Sequence, residues 1–230
     1  MKILAIETSC EHASVALLIG DELVQCSLEG QSNHSERLLP TLHGLLARAE
    51  MPLAMLDAIA FGAGPGAFTG LRLACGVAQG LAMGADVGLV PVCSLSALAL
   101  QTGAERSYVT VDARMGEVYA AAFVLTDDLP VQVQETVCVP PGDLSLPPTG
   151  DWHVAGSALR SYEVAIRSRL SDRVIRWDAD LVPRASEVAT IARREVALGR
   201  LLAPEQAAPL YVRDKVAFTT AERLARGGRA

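Results

Sequence analysis

The sequence predicts an α/β protein built from two related units, and three observations predict it. Short apolar runs bounded by turn residues alternate with amphipathic stretches, as strands alternate with helices. A strand ending in an acid occurs twice, once up to Glu7 and once up to Asp112, with the acids 105 residues apart in a chain of 230. Each is followed by a second apolar strand, Ser14–Ile19 in one half and residues 117–125 in the other. The length suffices for two units of about 100 residues, and a composition 50% apolar and 20% charged is ordinary for a folded domain.

Lys2–Glu7 reads as a buried strand because Ile3, Leu4, Ala5 and Ile6 form an unbroken apolar run. A polar turn over residues 8–13 joins it to Ser14–Ile19. Gly20 and Asp21 form a hairpin signal leading into a third strand near residues 22–28. Ser35 can cap a helix over 35–49, with Pro40 early in it. Its apolar stripe is Leu38, Leu39, Leu42, Leu45, Leu46 and Ala49. Residues 56–61 form another buried strand, which enters a glycine-rich loop at 62–70. A second helix runs from there to Gly84. A strand at 89–92 and a helix at 94–100 follow. Residues 101–107 are small and polar and mark a boundary, so the units are expected at 1–102 and 103–230. In the second half, Tyr108 opens the strand to Asp112. Residues 139–151 carry four prolines and two glycines, the composition of a surface loop. Trp152–Ala155 followed by Gly156 repeats strand-then-glycine, and residues 186–202 form an amphipathic helix. The extreme C-terminal segment is expected to pack back on the first unit.

The net charge is −6, so a protein-wide basic footprint for nucleic acid is absent. The first 105 residues hold four basic and ten acidic side chains; the remainder holds sixteen of each. If RNA is touched at all, the second half or the tail with Arg223, Arg226 and Arg229 is the expected place; the alternative is that this tail is simply a solvated charged segment. Cys10, Cys26, Cys75, Cys93 and Cys138 are odd in number and widely spaced, without a C-x-x-C pair. That suits a reducing, cytoplasmic setting rather than a disulfide framework. The N-terminal apolar run is too short for a secretory signal, and no stretch reads as a membrane span.

The segment from Gly62 to Gly70 carries the densest signal. It leaves a strand and opens a helix, where backbone N–H groups can hold an anion. Yet Gly62, Gly64, Gly66 and Gly70 are spaced 2, 2 and 4, with Pro65 inside, matching neither a P-loop nor a dinucleotide fingerprint. Two readings stay open: a tight structural turn with Thr69 as helix cap, or a phosphate site using Gly64, Gly66, Thr69, Glu7 and Asp112. The following helix repeats Gly76, Gly80 and Gly84 on one face. Interior glycines each lose about 1 kcal/mol of helix stability relative to alanine. Close approach of another helix can offset that loss, either the 35–49 helix of the same chain or a helix of another. The expected interface residues are Leu38, Leu39, Leu42, Leu45, Leu46, Leu73, Gly76, Val77, Gly80, Leu81 and Gly84. His12, His34, His43 and His153 form no His-x-x-x-His pair, and Gly-x-Ser-x-Gly is missing, so no metal or serine-nucleophile site is expected.

Five segments together resemble one family: Ile3-Leu-Ala-Ile-Glu-Thr-Ser9, His34-Ser-Glu-Arg-Leu-Leu-Pro40, Phe61-Gly-Ala-Gly-Pro-Gly-Ala-Phe-Thr-Gly-Leu-Arg72, Val111-Asp-Ala-Arg-Met-Gly-Glu-Val-Tyr119 and Pro209-Leu-Tyr-Val-Arg-Asp-Lys-Val-Ala217. In order along the whole chain, they are similar to the TsaB (YeaZ) family of tRNA threonylcarbamoyladenosine biosynthesis. The resemblance implies two duplicated ribonuclease H-like lobes of the actin/Hsp70 superfamily. It implies a non-catalytic partner of TsaD, which carries the metal and transfers the threonylcarbamoyl group to the adenosine 3′ of the anticodon. TsaE, an ATPase, joins them, and TsaC supplies threonylcarbamoyl-AMP. Pairing with TsaD, or with a second copy when alone, is implied through the first-lobe helices, which makes another chain the preferred partner of the glycine face. The resemblance implies no cofactor of the chain's own, leaves open a nucleotide at the TsaD interface, and implies indirect contact with tRNA. Two departures stand out: the His-x-x-x-His of TsaD has no counterpart, and Glu7 stands where nucleotide-binding members carry aspartate. Competing readings are an actin-like ATPase or small-molecule kinase, with Glu7 and Asp112 facing phosphates, and a metallopeptidase.

Overall fold

In β1 (Lys2–Glu7), Leu4 and Ile6 point to one side and Ile3 and Ala5 to the other, and all four are fully buried. Side chains alternate along a strand, so β1 must lie inside a sheet covered on both faces. The structure, a computed structural model, describes residues 1–28 and 34–213. β2 (Ser14–Ile19) pairs antiparallel with β1, and β3 (Glu22–Ser27) pairs antiparallel with β2. On the other side β4 (Ala58–Gly64) and β5 (Gly88–Cys93) run parallel, giving the order β3-β2-β1-β4-β5.

A second sheet repeats this plan. β6 (Arg106–Arg114) is its centre. β7 (Glu117–Thr126) and β8 (Leu129–Val139) lie antiparallel on one side, β9 (Trp152–Ala155) and β10 (Val174–Asp178) parallel on the other. The duplication inferred from two acids thus extends to all ten strands. This is the expected α/β fold of two ribonuclease H-like lobes.

The helices follow the repeat with one gap and one exchange. α1 (His34–Arg48) and α2 (Phe68–Ala85) cover the outer face of the first sheet, and α4 (Ala158–Leu170) covers the outer face of the second. No counterpart of α1 stands between β8 and β9, where the proline-rich segment passes instead. α3 (Ser94–Thr102) and α5 (Ala185–Ala197) lie between the sheets, and each packs against the other lobe's sheet. Leu95, Leu98 and Ala99 of α3 meet Val109, Val111, Ala121 and Phe123 of the second sheet. Ala185, Val188, Ala189 and Ala192 of α5 meet Ile3, Ala5, Leu18 and Ala60 of the first. The opening N–H groups of α5 find acceptors there too: Ala185 donates to Ser14 Oγ at 2.9 Å and Ser186 to Gln25 Oε1 at 3.0 Å. A helix start left without acceptors would be penalised, so these bonds help fix α5 on the first lobe although it was expected with the second.

Several boundaries differ from expectation. β4 continues through Gly64, its pairing with β5 extending to Gly64 opposite Cys93, and Gly62 leaves room for the Glu7 side chain of β1. α5 stops at Ala197, and the chain then turns so that Leu202 exchanges backbone bonds with Leu89 at the edge of β5. β8, α4 and β10 were not foreseen. The arginine-bearing tail, residues 29–33 and the last four residues of the Pro209–Ala217 motif lie outside the described residues.

Candidate functional site

The glycine repeat lies on α2. Leu71, Ala74, Cys75, Ala78 and Ala82 face the sheet and are buried. Thr69, Arg72, Gly76, Gly80, Met83 and Gly84 face outward and are exposed. A Cβ built on Gly76, Gly80 or Gly84 meets nothing within 4 Å. No described element of the chain covers this face, so α1 is not the helix that approaches it. Leu73, Val77 and Leu81 flank the strip, half-buried against the protomer's own core.

The α1 leucines require a correction. Leu38, Leu42, Leu45 and Leu46 are 0%, 2%, 2% and 9% exposed and belong to the core under the outer face of the first sheet. They cannot also form a docking surface. Leu39 points the other way and is 52% exposed, and Met83 on α2 is 73% exposed.

The glycine-rich loop serves close packing. Glu7 at the end of β1 is completely buried, and its carboxylate accepts from the Ser9 N–H at 2.7 Å and the Ser94 hydroxyl at 2.8 Å. Gly62 lies directly against it: an added Cβ would stand 2.1 Å from Glu7 Oε2. At Gly70 a Cβ would stand 1.8 Å from the Thr8 carbonyl oxygen, and the Thr8 hydroxyl donates to the Gly70 carbonyl at 2.7 Å. The Ala67 N–H donates to the Ser9 carbonyl at 2.7 Å. Gly62 is therefore glycine because the Glu7 side chain of β1 presses on it, and Gly70 because the Thr8 carbonyl in the β1–β2 turn does. Thr69 makes no cap; α2 starts after Ala67 without a side-chain cap bond. Burial pushes the Glu7 carboxyl above its ordinary range, against the pull of the bonds from Ser9 and Ser94. Glu7 and Gly64 thus do not line the space between the lobes, whereas Gly66, Thr69 and Asp112 of the expected phosphate set all line the cleft there.

Asp112 does reach that space. A cleft of about 460 Å³ opens between the lobes, lined on one side by Ser9, Gly66 and Phe68 and on the other by Asp112, Ser161 and Arg213. Asp112 accepts from the Arg114 N–H at 2.8 Å, the Ser161 hydroxyl at 3.0 Å and the Tyr162 hydroxyl at 3.3 Å, and it pairs with the Arg114 guanidinium at 3.3 Å. Cys10 also lines the cleft; burial first, then the charge of Glu7, pushes its thiol up to about 12, which disfavours the thiolate. Among the described residues no three His, Cys, Asp or Glu side chains gather as a metal site. No described helix is long and apolar enough to cross a membrane. Sequence reasoning missed that residues 210–213 line the cleft.

The chain resembles known proteins over nearly its whole length. A family model described as "TsaD: tRNA N6-adenosine threonylcarbamoyltransferase" matches residues 29–165. The chain is 34% identical to the tRNA threonylcarbamoyladenosine biosynthesis protein TsaB of Escherichia coli (strain K12), covering 95% of this chain and 97% of that protein. It is 31% identical to the protein of the same name from Haemophilus influenzae, with 95% and 96% covered. A solved structure described as "YeaZ from Pseudomonas aeruginosa" superposes with a TM-score of 0.84 at 36% identity, covering 91% of this chain and 99% of that one.

Proposed function

The chain belongs to the TsaB family, and on that premise we propose that it acts in tRNA threonylcarbamoyladenosine biosynthesis as a non-catalytic scaffold that binds and activates TsaD. TsaD would carry the transfer chemistry and meet the tRNA, and TsaE would join the pair. The observation that carries the reading is the open strip of Gly76, Gly80 and Gly84 on α2. Glycine is the poorest interior residue of a helix short of proline. Among the described residues, it makes room for nothing inside the protomer. A helix of another chain can come close over such a strip, since no side chain holds the backbones apart. Leu39 and Met83 supply exposed apolar surface on the same two helices, and burying such surface favours association by about 25 cal/mol per Å². Alone, the same face would pair two copies about a two-fold axis.

The non-catalytic part of the proposal rests on how the two acids are used. Glu7 is enclosed by Ser9, Ser94 and Gly62, and Asp112 is engaged by Arg114, Ser161 and Tyr162. The enclosure of Glu7, away from the cleft that Asp112 lines, supports a partner over an ATPase or kinase that would need both acids facing phosphates.

The test is reconstitution. TsaC, TsaD, TsaE, threonine, bicarbonate, ATP and unmodified tRNA are combined with and without this chain. Modified adenosine is expected only with it. Equal product without it, or turnover of Mg-ATP by the isolated chain, would refute the proposal.

A further inference from the structure

We infer that residues 204–213 form a strap that locks the second lobe to α2, with Arg213 as the positioning residue that closes it. Three sequence motifs meet along this strap, and docking through α2 alone explains only one of them. At its start, Gln79 of α2 donates to the carbonyls of Pro204 at 2.9 Å and Ala207 at 3.1 Å. Gln79 sits between the glycines Gly76 and Gly80. The strap then crosses the end of β4, where the Leu210 N–H donates to the Ala63 carbonyl at 2.8 Å. Tyr211 lies beside Phe68 with ring centres 6.0 Å apart, and its hydroxyl accepts from Arg72 Nε at 3.2 Å. Phe68 and Arg72 belong to the first-lobe motif.

Two residues on, the strap reaches the other lobe. Arg213 pairs with the Glu117 carboxylate, donates to the Arg114 carbonyl at 3.4 Å and sits 5.9 Å from the centre of the Tyr119 ring. Those three residues are the β6–β7 hairpin motif. The Arg213 side chain is only 14% exposed. With Glu117 36% exposed the pair is partly shielded, so it is screened less than a fully exposed pair, and among the described residues removing Arg213 leaves the Glu117 carboxylate only the Cys138 thiol at 3.5 Å. From Gln79 to Glu117 the contacts form one continuous series from the docking helix to the second lobe. Residues 210–213 also form a wall of the inter-lobe cleft.

The consequence is mechanical. A partner seated on α2 would receive the second lobe at a fixed angle, because the strap joins both. This consequence rests on the proposed function; the strap itself does not. Amide hydrogen exchange tests the strap on the intact chain. In Arg213→Ala the Leu210 amide is expected to exchange about tenfold faster, as a lost charge-assisted bond lowers the cost of local opening. Arg213→Lys should recover part of that protection. Tyr211→Phe, which loses only the bond from Arg72, should accelerate exchange a few-fold and serves if Arg213→Ala does not fold. Unchanged Leu210 exchange in a folded variant would overturn the strap. Sedimentation with TsaD and reconstituted product then test its role: Arg213→Ala should bind TsaD as wild type does and yield less product. Full product with a loosened strap would overturn that role, whereas failure of the wild-type chain to bind TsaD would overturn the proposed function and leave the exchange result standing.

Discussion

Placing leucine at Gly80 separates stability from docking. In most interiors an added side chain both destabilises the fold and disturbs binding. At Gly80 a Cβ meets nothing within 4 Å, and the residue lies inside an 18-residue helix. Leucine is a strong helix former, so the protomer should gain about 0.7 kcal/mol relative to glycine. For a chain of 230 residues that corresponds to a rise in Tm of roughly 2 °C. Docking should respond in the opposite sense. A four-carbon side chain on a strip that a second helix must approach holds the backbones apart, and a loss of about 1.4–3 kcal/mol is tenfold to more than a hundredfold in Kd. Thermal unfolding by circular dichroism and sedimentation with TsaD read the two effects on one sample. A raised Tm with unchanged TsaD affinity would show that this face is not the interface. A lowered Tm would show that the strip is covered within the protomer.

Gly62→Ala and Gly76→Ala should differ in sign: the first forces a carbon onto the Glu7 carboxylate and should cost about 1–3 kcal/mol in urea unfolding, the second should stabilise by up to about 1 kcal/mol. Loss of both with equal cost would contradict the open face. Glu7 has a folded pKa raised above its ordinary 4.5 by burial. The folded state therefore binds the proton more tightly, and stability falls as pH rises from about 4.5 through the folded value. Glu7→Gln should flatten that limb, so parallel urea-unfolding profiles for variant and wild type would refute the assignment. His153 behaves inversely: burial, then Arg176, holds its folded pKa below 6.5, so its contribution is complete above 6.5 and is lost as pH falls below it. His153→Gln should remove that acid-side loss in the same measurement, and an unchanged profile would count against it.

Local patterns were legible in the sequence and long-range sidedness was not. Ile3–Ile6 announces a doubly covered strand by itself, and the two acids exposed the duplication, although β6 runs two residues past Asp112 to Arg114 while β1 ends at Glu7. The α1 stripe was read too broadly: Leu38, Leu42 and Leu45 follow helical spacing into the core, while Leu39 sits one residue round and points outward. β8 carries alternating Val131, Gln132, Val133 and Gln134, yet as an edge strand it leaves both valines at least 42% exposed, so the alternation does not mark a core. The exchange of α3 and α5 between lobes depends on which sheet their apolar faces meet, Leu95, Leu98 and Ala99 on α3 and mainly alanines on α5, and no local pattern specifies that sheet. The glycine loop gave its position but not its purpose, because the segment it packs against, Glu7 to Ser9, lies far earlier in the chain. Arg213 and Glu117 are 96 residues apart, and nothing local links them.

Docking of TsaD on the outer face of α2 is tested most directly by a photoreactive amino acid at Met83, compared with the same group at Ile175. The two residues are nearly equally exposed, 73% and 74%, but Met83 lies beside the glycine strip and Ile175 on the edge strand of the second sheet. Irradiation with TsaD present should link the chain to TsaD from Met83 and not from Ile175. Links from Ile175 alone, with none from Met83, would contradict docking on the glycine face.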